Sequence, residues 1–327
     1  MKAIIMSQPG DASVLQRQEI PEPVPSAHEI LVRVHATAVN RADLLQRRGQ
    51  YPPPPGTRED ILGLEFAGEV ETTGQEVTMY QPGDRVMGLL SGEGYAEKIV
   101  THERLALAIP AHLSYEEAAA LPEVFLTAYD ALFYRLEIRK GDSILIHAIG
   151  SGVGTAALQL AKISGAAVFG TAGSDEKLNR AKDLGLDIAI HYQKENFQEI
   201  ILQETQDQGV QAILDVVGAA YLEKNLACLA TCGKLVCLGL LGGSKAEINL
   251  ATILWKRVHI IGTVLRARPL PEKIALTHAF QKHALPLFSS GKIQPVIDKT
   301  FPLERAAEAH SYMESNENFG KIVLRIT

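Results

Sequence analysis

Between Glu29 and Ala36 apolar and polar residues alternate, the period of a strand that buries one face. Two shorter apolar runs, Phe66 to Glu71 and Arg85 to Gly88, sit among turn residues such as Gln81-Pro82-Gly83-Asp84 and read as further strands. The stretch Gly49 to Gly56 carries four consecutive prolines, which lack amide donors, so it is expected to be an ordered loop rather than helix or central strand. The first third of the chain is therefore predicted to be β-rich.

Near Leu121-Pro122 the pattern changes, and from Glu123 onward strands alternate with helices. Strands are predicted at 143–148, 167–171, 188–192, 212–217, 234–238 and about 259–265. Helical periodicity covers 154–164 and 174–184, with further helical stretches between the later strands. Strands joined by crossover helices form a parallel, doubly wound α/β sheet of the Rossmann kind. Beyond it, a helix from Glu272 to Ser290 closed by Gly291, a run 295–301, a helix from Leu303 to Ser315 and a strand from Lys321 to Ile326 are expected. A last strand outside the alternating block predicts that the tail returns to the first domain. The expected domains are residues 1–122, completed by 266–327, and a dinucleotide-binding domain over 123–265.

Composition narrows the function classes. The 327 residues hold 32 basic and 38 acidic side chains, a net charge of −6 without long blocks of one sign, so no nucleic-acid tract or polybasic membrane patch is expected. No window approaches the roughly 18 apolar residues of a membrane span. Met1 to Met6 followed by Ser7-Gln8-Pro9-Gly10 reads as a short strand and turn, not a signal peptide. Three cysteines, Cys228, Cys232 and Cys237, suit a reducing cytoplasm. The first two are expected on a helical stretch from Tyr221 to just past Ala230, the third in the apolar run from Lys234. With no histidine nearby to complete a tetrahedral set, all three read as buried small hydrophobes rather than metal ligands.

The chemistry is concentrated at Ser143 to Ala161, where an apolar strand enters a glycine-rich turn and leaves on an amphipathic helix. Bare glycines let a backbone approach a pyrophosphate, and the helix N-terminus offers free amides and a positive dipole end. Gly150, Gly152 and Gly154 are spaced by two, with Thr155 where the strict pattern wants a glycine. Read as Ala-x-x-Ser-x-x-Gly, the turn uses Ala148, Ser151 and Gly154. The following strand ends Gly170-Thr-Ala-Gly-Ser174 with no carboxylate before Asp175, and Lys177 follows. An NAD site wants an acidic residue there for the ribose, so Ser174 and Lys177 favour NADPH. Ser174 fits equally the N-cap of a helix, and both readings hold together.

Collinear motifs cover nearly the whole chain: Asn40 to Asp43, Arg48 to Tyr51 with its prolines, Gly63 to Gly68, Leu126 to Ala128, Gly141 to Ala148, Thr263 to Arg266 and Gly320 to Leu324. In these the chain resembles the zinc-free quinone oxidoreductase (zeta-crystallin) branch of the medium-chain dehydrogenase/reductase superfamily. Within that branch it is similar to the tumour-suppressor-inducible NADPH:quinone oxidoreductase subgroup. The resemblance implies a GroES-like catalytic domain beside the Rossmann domain, and NADPH as cofactor. Zinc-dependent relatives carry a cysteine near the place of Asn40 and a histidine in a Gly-His-Glu motif that here reads Gly63-Leu64-Glu65, so no metal is expected.

The same resemblance implies that Asn40, Asp43 and Tyr51 line the cleft near the nicotinamide and that Thr127 lies beside the cofactor. Gly150, Ser151, Gly152, Val153 and Gly154 would hold the pyrophosphate, while Gly173, Ser174, Lys177 and Tyr192 would meet the adenosine phosphate end. Leu240, Leu241 and Gly242 would run along the nicotinamide ribose, with Lys321 a further cofactor contact. Tyr51 is the leading hydrogen-bond donor to a substrate oxygen, assisted by Ser151. Tyr51 equally fits an aromatic plug against Pro52 to Pro55, and Asn40 and Asp43 equally fit local turn capping. His147, under the turn, reads as structural.

Three activities fit. The first is an NADPH:quinone reductase with ortho-quinones preferred. The second is an enoyl-thioester or alkenal reductase, for which Arg266 and Arg268 would belong to a basic patch for the phosphates of coenzyme A. The third is an NADPH-binding structural or regulatory protein with little turnover. A homodimer, or a dimer of dimers, is expected through the apolar edge at His259 to Leu265.

Overall fold

A computed structural model gives the fold of the protein and describes residues 1–326. The chain divides into two compact units, one formed by Met1–Leu126 with the chain from Leu265 onward, the other by Thr127–Val264.

The second unit is built on six parallel strands. In spatial order they are Ile188–His191, Ala167–Ala172, Ser143–Ile146, Val210–Asp215, Leu229–Cys237 and His259–Gly262. The order reverses beside Ser143–Ile146, so the sheet has the Rossmann topology and its switch point lies where the glycine turn begins. Ile144, Leu145, Ile146, Ile213 and Leu214 are fully buried, because helices cover both faces of a parallel sheet and leave no polar alternation.

Two expectations here need correction. The last strand stops at Gly262 rather than running to Leu265, and its pairing with Lys234–Cys237 ends there. Cys232 is not helical: the helix Leu222–Cys228 ends at Cys228, and the register slips between Val210↔Leu229 and Ala212↔Lys234. Within that slip Cys232 takes φ +61° and is exposed, so only Cys228 is fully buried.

The first unit holds a mixed seven-stranded sheet. Its main path runs Ile297–Pro302, Lys321–Arg325, Glu29–Val39, Glu65–Thr73, Arg85–Leu89, Ala106–Ala108, and Lys98–His102 pairs off Glu29–Val39. Lys321–Arg325 lies antiparallel to the end of Glu29–Val39, with Ile322 opposite Val39. That register brings Lys321 beside Asn40. The helix Ala306–Glu314 packs Ala306, Ala309 and Met313 on Val39, Leu44, Ile322 and Leu324, clamping this corner.

The helix expected over Glu272–Ser290 is two helices, Leu270–His283 and Leu285–Ser289. Pro286 has no amide to continue the ladder, so the first helix closes with the Ala284 N–H on the Phe280 carbonyl. The expected helix at Leu303 opens as a tight 3₁₀ turn, Leu303–Arg305, before Ala306–Glu314. Among the described residues no helix is long and apolar enough to cross a membrane.

Candidate functional site

In the first unit, Asn40 stands where the strand Glu29–Val39 gives way to the helix Arg41–Arg47. Its backbone N–H donates to Asp43 Oδ2 at 2.8 Å, and the Asp43 N–H returns to the Asn40 carbonyl at 3.0 Å, a local cap. The Asn40 side-chain amide is equally committed. Its Nδ2 donates to Glu65 Oε1 at 2.8 Å, and its Oδ1 accepts from Lys321 Nζ at 2.5 Å.

Lys321 also donates to Glu65 Oε1 at 2.7 Å and to the Val39 carbonyl at 3.1 Å, while the Glu123 N–H donates to Glu65 Oε2 at 2.8 Å. Glu65 is 0% and Lys321 3% exposed. A buried carboxylate demands a cation and filled lone pairs, and this cluster supplies both. Lys321, expected as a further cofactor contact, spends its three ammonium hydrogens on Glu65, Asn40 and Val39 and acts here as a buried counter-charge.

The cluster also bears on whether these residues could hold a catalytic zinc. Such a metal needs three protein ligands and an open position. Asn40 and Leu64 provide neither thiolate nor imidazole, and the Glu65 carboxylate already holds an ammonium. Among the described residues no three His, Cys, Asp or Glu side chains are grouped to hold a metal ion. The residues present do not fit one.

Asp43, expected either to line the cleft or to cap the local turn, is fully buried. Its Oδ1 accepts from the Gly63 N–H at 3.1 Å and its Oδ2 from the Tyr95 hydroxyl at 3.2 Å. Behind it runs a hydrogen-bonded chain: Tyr95 Oη lies 3.0 Å from His310 Nε2, and His310 Nδ1 lies 3.2 Å from Arg47 Nη1. Arg47 pairs in turn with Glu314. A guanidinium only donates, so His310 accepts at Nδ1 and carries its proton at Nε2. The Tyr95 hydroxyl then points to Asp43. Burial and the neighbouring Arg47 hold His310 neutral, down at about 3. Burial pushes the Asp43 carboxyl up to about 6, against the pull of the Asn40 and Gly63 amides. The task of Asp43 is to hold Asn40 and the Gly63 turn in place.

Tyr51 lies in the proline loop, half-buried, with the Arg266 guanidinium 5.2 Å from its ring centroid. Arg266 donates to the Tyr51 carbonyl at 3.2 Å, the Ser91 carbonyl at 2.6 Å and Gln46 Oε1 at 2.5 Å. At 5% exposure Arg266 is a buried staple of this loop, which removes it from any surface patch for coenzyme A. The Tyr51 hydroxyl makes no hydrogen bond within the described residues and stays available to a ligand. Burial raises its pKa, so it remains a neutral donor at ordinary pH.

In the second unit, Ser151 caps the helix Gly152–Ser164 by accepting from the Gly154 N–H at 3.0 Å. Helix geometry leaves the Gly152 and Val153 amides without intrahelical acceptors, aimed out of the helix start. Gly154 is forced: a Cβ there would stand 2.4 Å from the Ala148 carbonyl oxygen. Gly150 completes the same turn. His147 is wholly buried, with its ring nitrogens 3.0 Å from Thr171 Oγ1 and 2.8 Å from Asn225 Oδ1, and is a structural residue as expected.

At the next strand end, Ser174 caps the helix Asp175–Asp183, accepting from the Lys177 N–H at 3.4 Å. Asp175 pairs with Lys194 at 2.6 Å. Tyr192, 43% exposed, lies across Gly173, where a Cβ would meet its hydroxyl at 2.6 Å. Leu240, Leu241 and Gly242 form an exposed loop tied back by the Leu241 and Gly242 amides on the Val216 and Val217 carbonyls. Thr127 is half-buried in the helix Pro122–Tyr129. Free amides, a hydroxyl cap, a lysine and an exposed aromatic along one strand-end edge suit an extended phosphorylated ligand.

Two sequence families match the chain: one described as an alcohol dehydrogenase GroES-like domain over residues 26–127, the other as a zinc-binding dehydrogenase over 152–289. The quinone oxidoreductase of Rattus norvegicus is 32% identical over 331 residues, which cover 99% of this chain and 97% of that protein. The Escherichia coli quinone oxidoreductase, solved with NADPH, superposes with a TM-score of 0.89 at 30% identity, covering 99% of this chain and all of the other. The JamJ enoyl reductase, solved without ligand, superposes with a TM-score of 0.90 at 27% identity over the full length of both.

Proposed function

Because the chain belongs to the quinone oxidoreductase branch of the medium-chain dehydrogenase/reductase family, we propose that it reduces quinones with NADPH and without zinc, ortho-quinones being preferred. The protein is an NADPH-dependent oxidoreductase; the acceptor and the absence of metal are the proposal. The observation that carries it is the Lys321 ammonium lodged against Glu65 and Asn40. Without a Lewis acid to polarise a simple ketone, the acceptor must itself be strongly electrophilic, as quinones are.

When bound, NADPH supplies the hydride. The Gly152 and Val153 amides would take its pyrophosphate, Ser174 and Lys177 its 2′-phosphate, and Tyr192 its adenine end. Thr127 and the loop Leu240 to Gly242 would lie along the nicotinamide side. Tyr51 holds the acceptor oxygen through its free hydroxyl, and Asn40, kept rigid by Asp43, Glu65 and Lys321, shapes the surrounding wall. Orientation of this kind lowers the barrier without new chemistry from the protein.

The test follows reduced-nicotinamide absorbance with chelator-treated protein and a panel of ortho-quinones, para-quinones, alkenals and enoyl-CoA esters, using NADPH or NADH. Oxidation of NADPH with quinones alone is expected. Turnover of enoyl thioesters would favour the second reading, to which the fold of the JamJ enoyl reductase lends weight. Tight NADPH binding with no turnover would favour a binding role. In the same assay Lys177→Ala is expected to weaken NADPH roughly 10-fold or more, the worth of a charge-assisted bond, and to leave NADH unchanged. Equal losses for the two cofactors would remove Lys177 from the phosphate site.

The reading places the enzyme in the cytoplasm as a homodimer. Among the described residues the strand His259–Gly262 ends its sheet with no neighbour on one side, and Ile260 and Val264 are 43% and 53% exposed. An apolar open edge of that kind invites a second copy. Sedimentation at micromolar concentration should give twice the 35.5 kDa chain mass; a species of chain mass alone would count against pairing.

A further inference from the structure

Glu123 opens the helix Pro122–Tyr129, and its two ends do different things. Its backbone N–H clamps Glu65 Oε2 at 2.8 Å. Its side chain is half-buried, yet its carboxyl makes no hydrogen bond or ion pair with any described residue. Polar groups that deep normally find partners. The cation nearest to hand cannot serve, since Lys321 spends all three of its hydrogens elsewhere.

Four groups lie within electrostatic reach of Glu123, whose backbone is tied to the cluster through Glu65: Lys321 from the terminal strand, Glu65 from the strand Glu65–Thr73, Asp43 from the helix Arg41–Arg47 and Tyr51 from the proline loop. Burial raises the Glu123 carboxyl to about 7, with Lys321 pulling it down and the carboxylates of Glu65 and Asp43 adding to the rise. Its charge is also felt at the Tyr51 hydroxyl, the group assigned to hold the acceptor oxygen.

Reduction of a quinone to a hydroquinone consumes a proton as well as a hydride. Tyr51 is a poor source, because burial makes its hydroxyl a weaker acid than free tyrosine. Asp43 is walled in by its own partners. Ser151 lends its oxygen to a helix cap. Among the carboxyl groups of the cluster, Glu123 is the one whose side chain is unpartnered and half-exposed among the described residues.

We propose that Glu123 is the proton donor of the reaction, its carboxylic acid protonating the acceptor oxygen that Tyr51 holds; this rests on the reductase reading above. In the balanced step the quinone takes up a hydride with its two electrons from NADPH and becomes the hydroquinone monoanion. The O–H bond of Glu123 breaks, a new O–H bond forms on that anionic oxygen, and hydroquinone, NADP⁺ and the Glu123 carboxylate result. Water then returns a proton to Glu123. Tyr51 orients and Glu123 transfers, a division of labour that sets the donor near the pH at which it works.

The experiment compares the full-length protein with Glu123→Gln, which keeps the shape and the neutral state and lacks the proton. Difference infrared spectroscopy, which needs no turnover, should show a carboxyl band in the parent that titrates near pH 7 and is missing from E123Q. The parent kcat for quinone should fall above about pH 7. In E123Q kcat should drop about 100-fold, the usual worth of general acid catalysis, with no such limb and with NADPH binding by calorimetry unchanged. A kcat within twofold of the parent with the limb intact, or an infrared band titrating in the ordinary range of glutamate, overturns the assignment. If enoyl thioesters rather than quinones turn over, the quinone reading fails and the same limb, read in that activity, still decides for or against Glu123. No turnover with any acceptor overturns both.

Discussion

Replacing Lys321 with methionine is expected to destabilise the protein by about 3–5 kcal/mol, the cost of leaving a buried carboxylate without its cation. Among the described residues Glu65 has no other positive partner at hydrogen-bond distance: the remaining contacts of its carboxylate are the Asn40 amide and the Glu123 backbone N–H. Neither carries charge, and the site is closed to water. The double variant Lys321→Met, Glu65→Gln should recover part of the loss, because no uncompensated charge stays buried, although the amide keeps one acceptor oxygen where Glu65 uses two, for Asn40 and for Glu123. Urea unfolding of the two variants and the parent checks both halves. A single variant within about 1 kcal/mol of the parent, outside the range expected for a broken buried pair, would mean that water or a rearranged neighbour reaches Glu65. Because Lys321 also donates to Asn40, the single variant should loosen the corner where the strand Glu29–Val39 meets the helix Arg41–Arg47.

That pair marks where sequence reading stops. Glu65 and Lys321 stand 256 positions apart, and only the antiparallel register of Lys321–Arg325 on Glu29–Val39 brings the ammonium to Asn40. The loss of a histidine at Leu64 is visible in the chain, but the ammonium that balances the buried glutamate is not. Glu123 is hidden for a different reason. An acid in the first turn of a helix reads as a favourable dipole partner, and nothing local says that two other carboxylates lie within electrostatic reach of it.

Local chemistry, by contrast, was legible. The glycine turn, the Ser151 and Ser174 caps and the strand periods follow from residues within one turn of each other. Two local misreadings are equally instructive. Pro286 is plain in the sequence, yet helical periodicity on both sides of it suggested one helix where there are two. Cys232 looked helical because the residues before it are, while it lies at a register slip inside the strand Leu229–Cys237, itself in the left-handed region.

Gly154→Ala is expected to lower NADPH affinity by about 100-fold or more, which amounts to roughly 2.7 kcal/mol of binding. The added methyl would stand 2.4 Å from the Ala148 carbonyl oxygen and 2.6 Å from that of Ile149. Both are backbone atoms, so no side chain can swing aside, and the start of the helix Gly152–Ser164 must move away from its strand. The amides of Gly152 and Val153 move with it, and their direction is what a pyrophosphate would feel. Gly173→Ala makes the instructive contrast. There the obstacle, at 2.6 Å, is the hydroxyl tip of Tyr192, an exposed side chain that can rotate, so unfolding should be nearly unchanged while the adenine end of the site is disturbed. Calorimetric titration with NADPH, paired with urea unfolding, separates the two outcomes. If Gly154→Ala binds NADPH within threefold of the parent, the phosphate does not sit on this helix start, and the cofactor assignment built on it must be withdrawn.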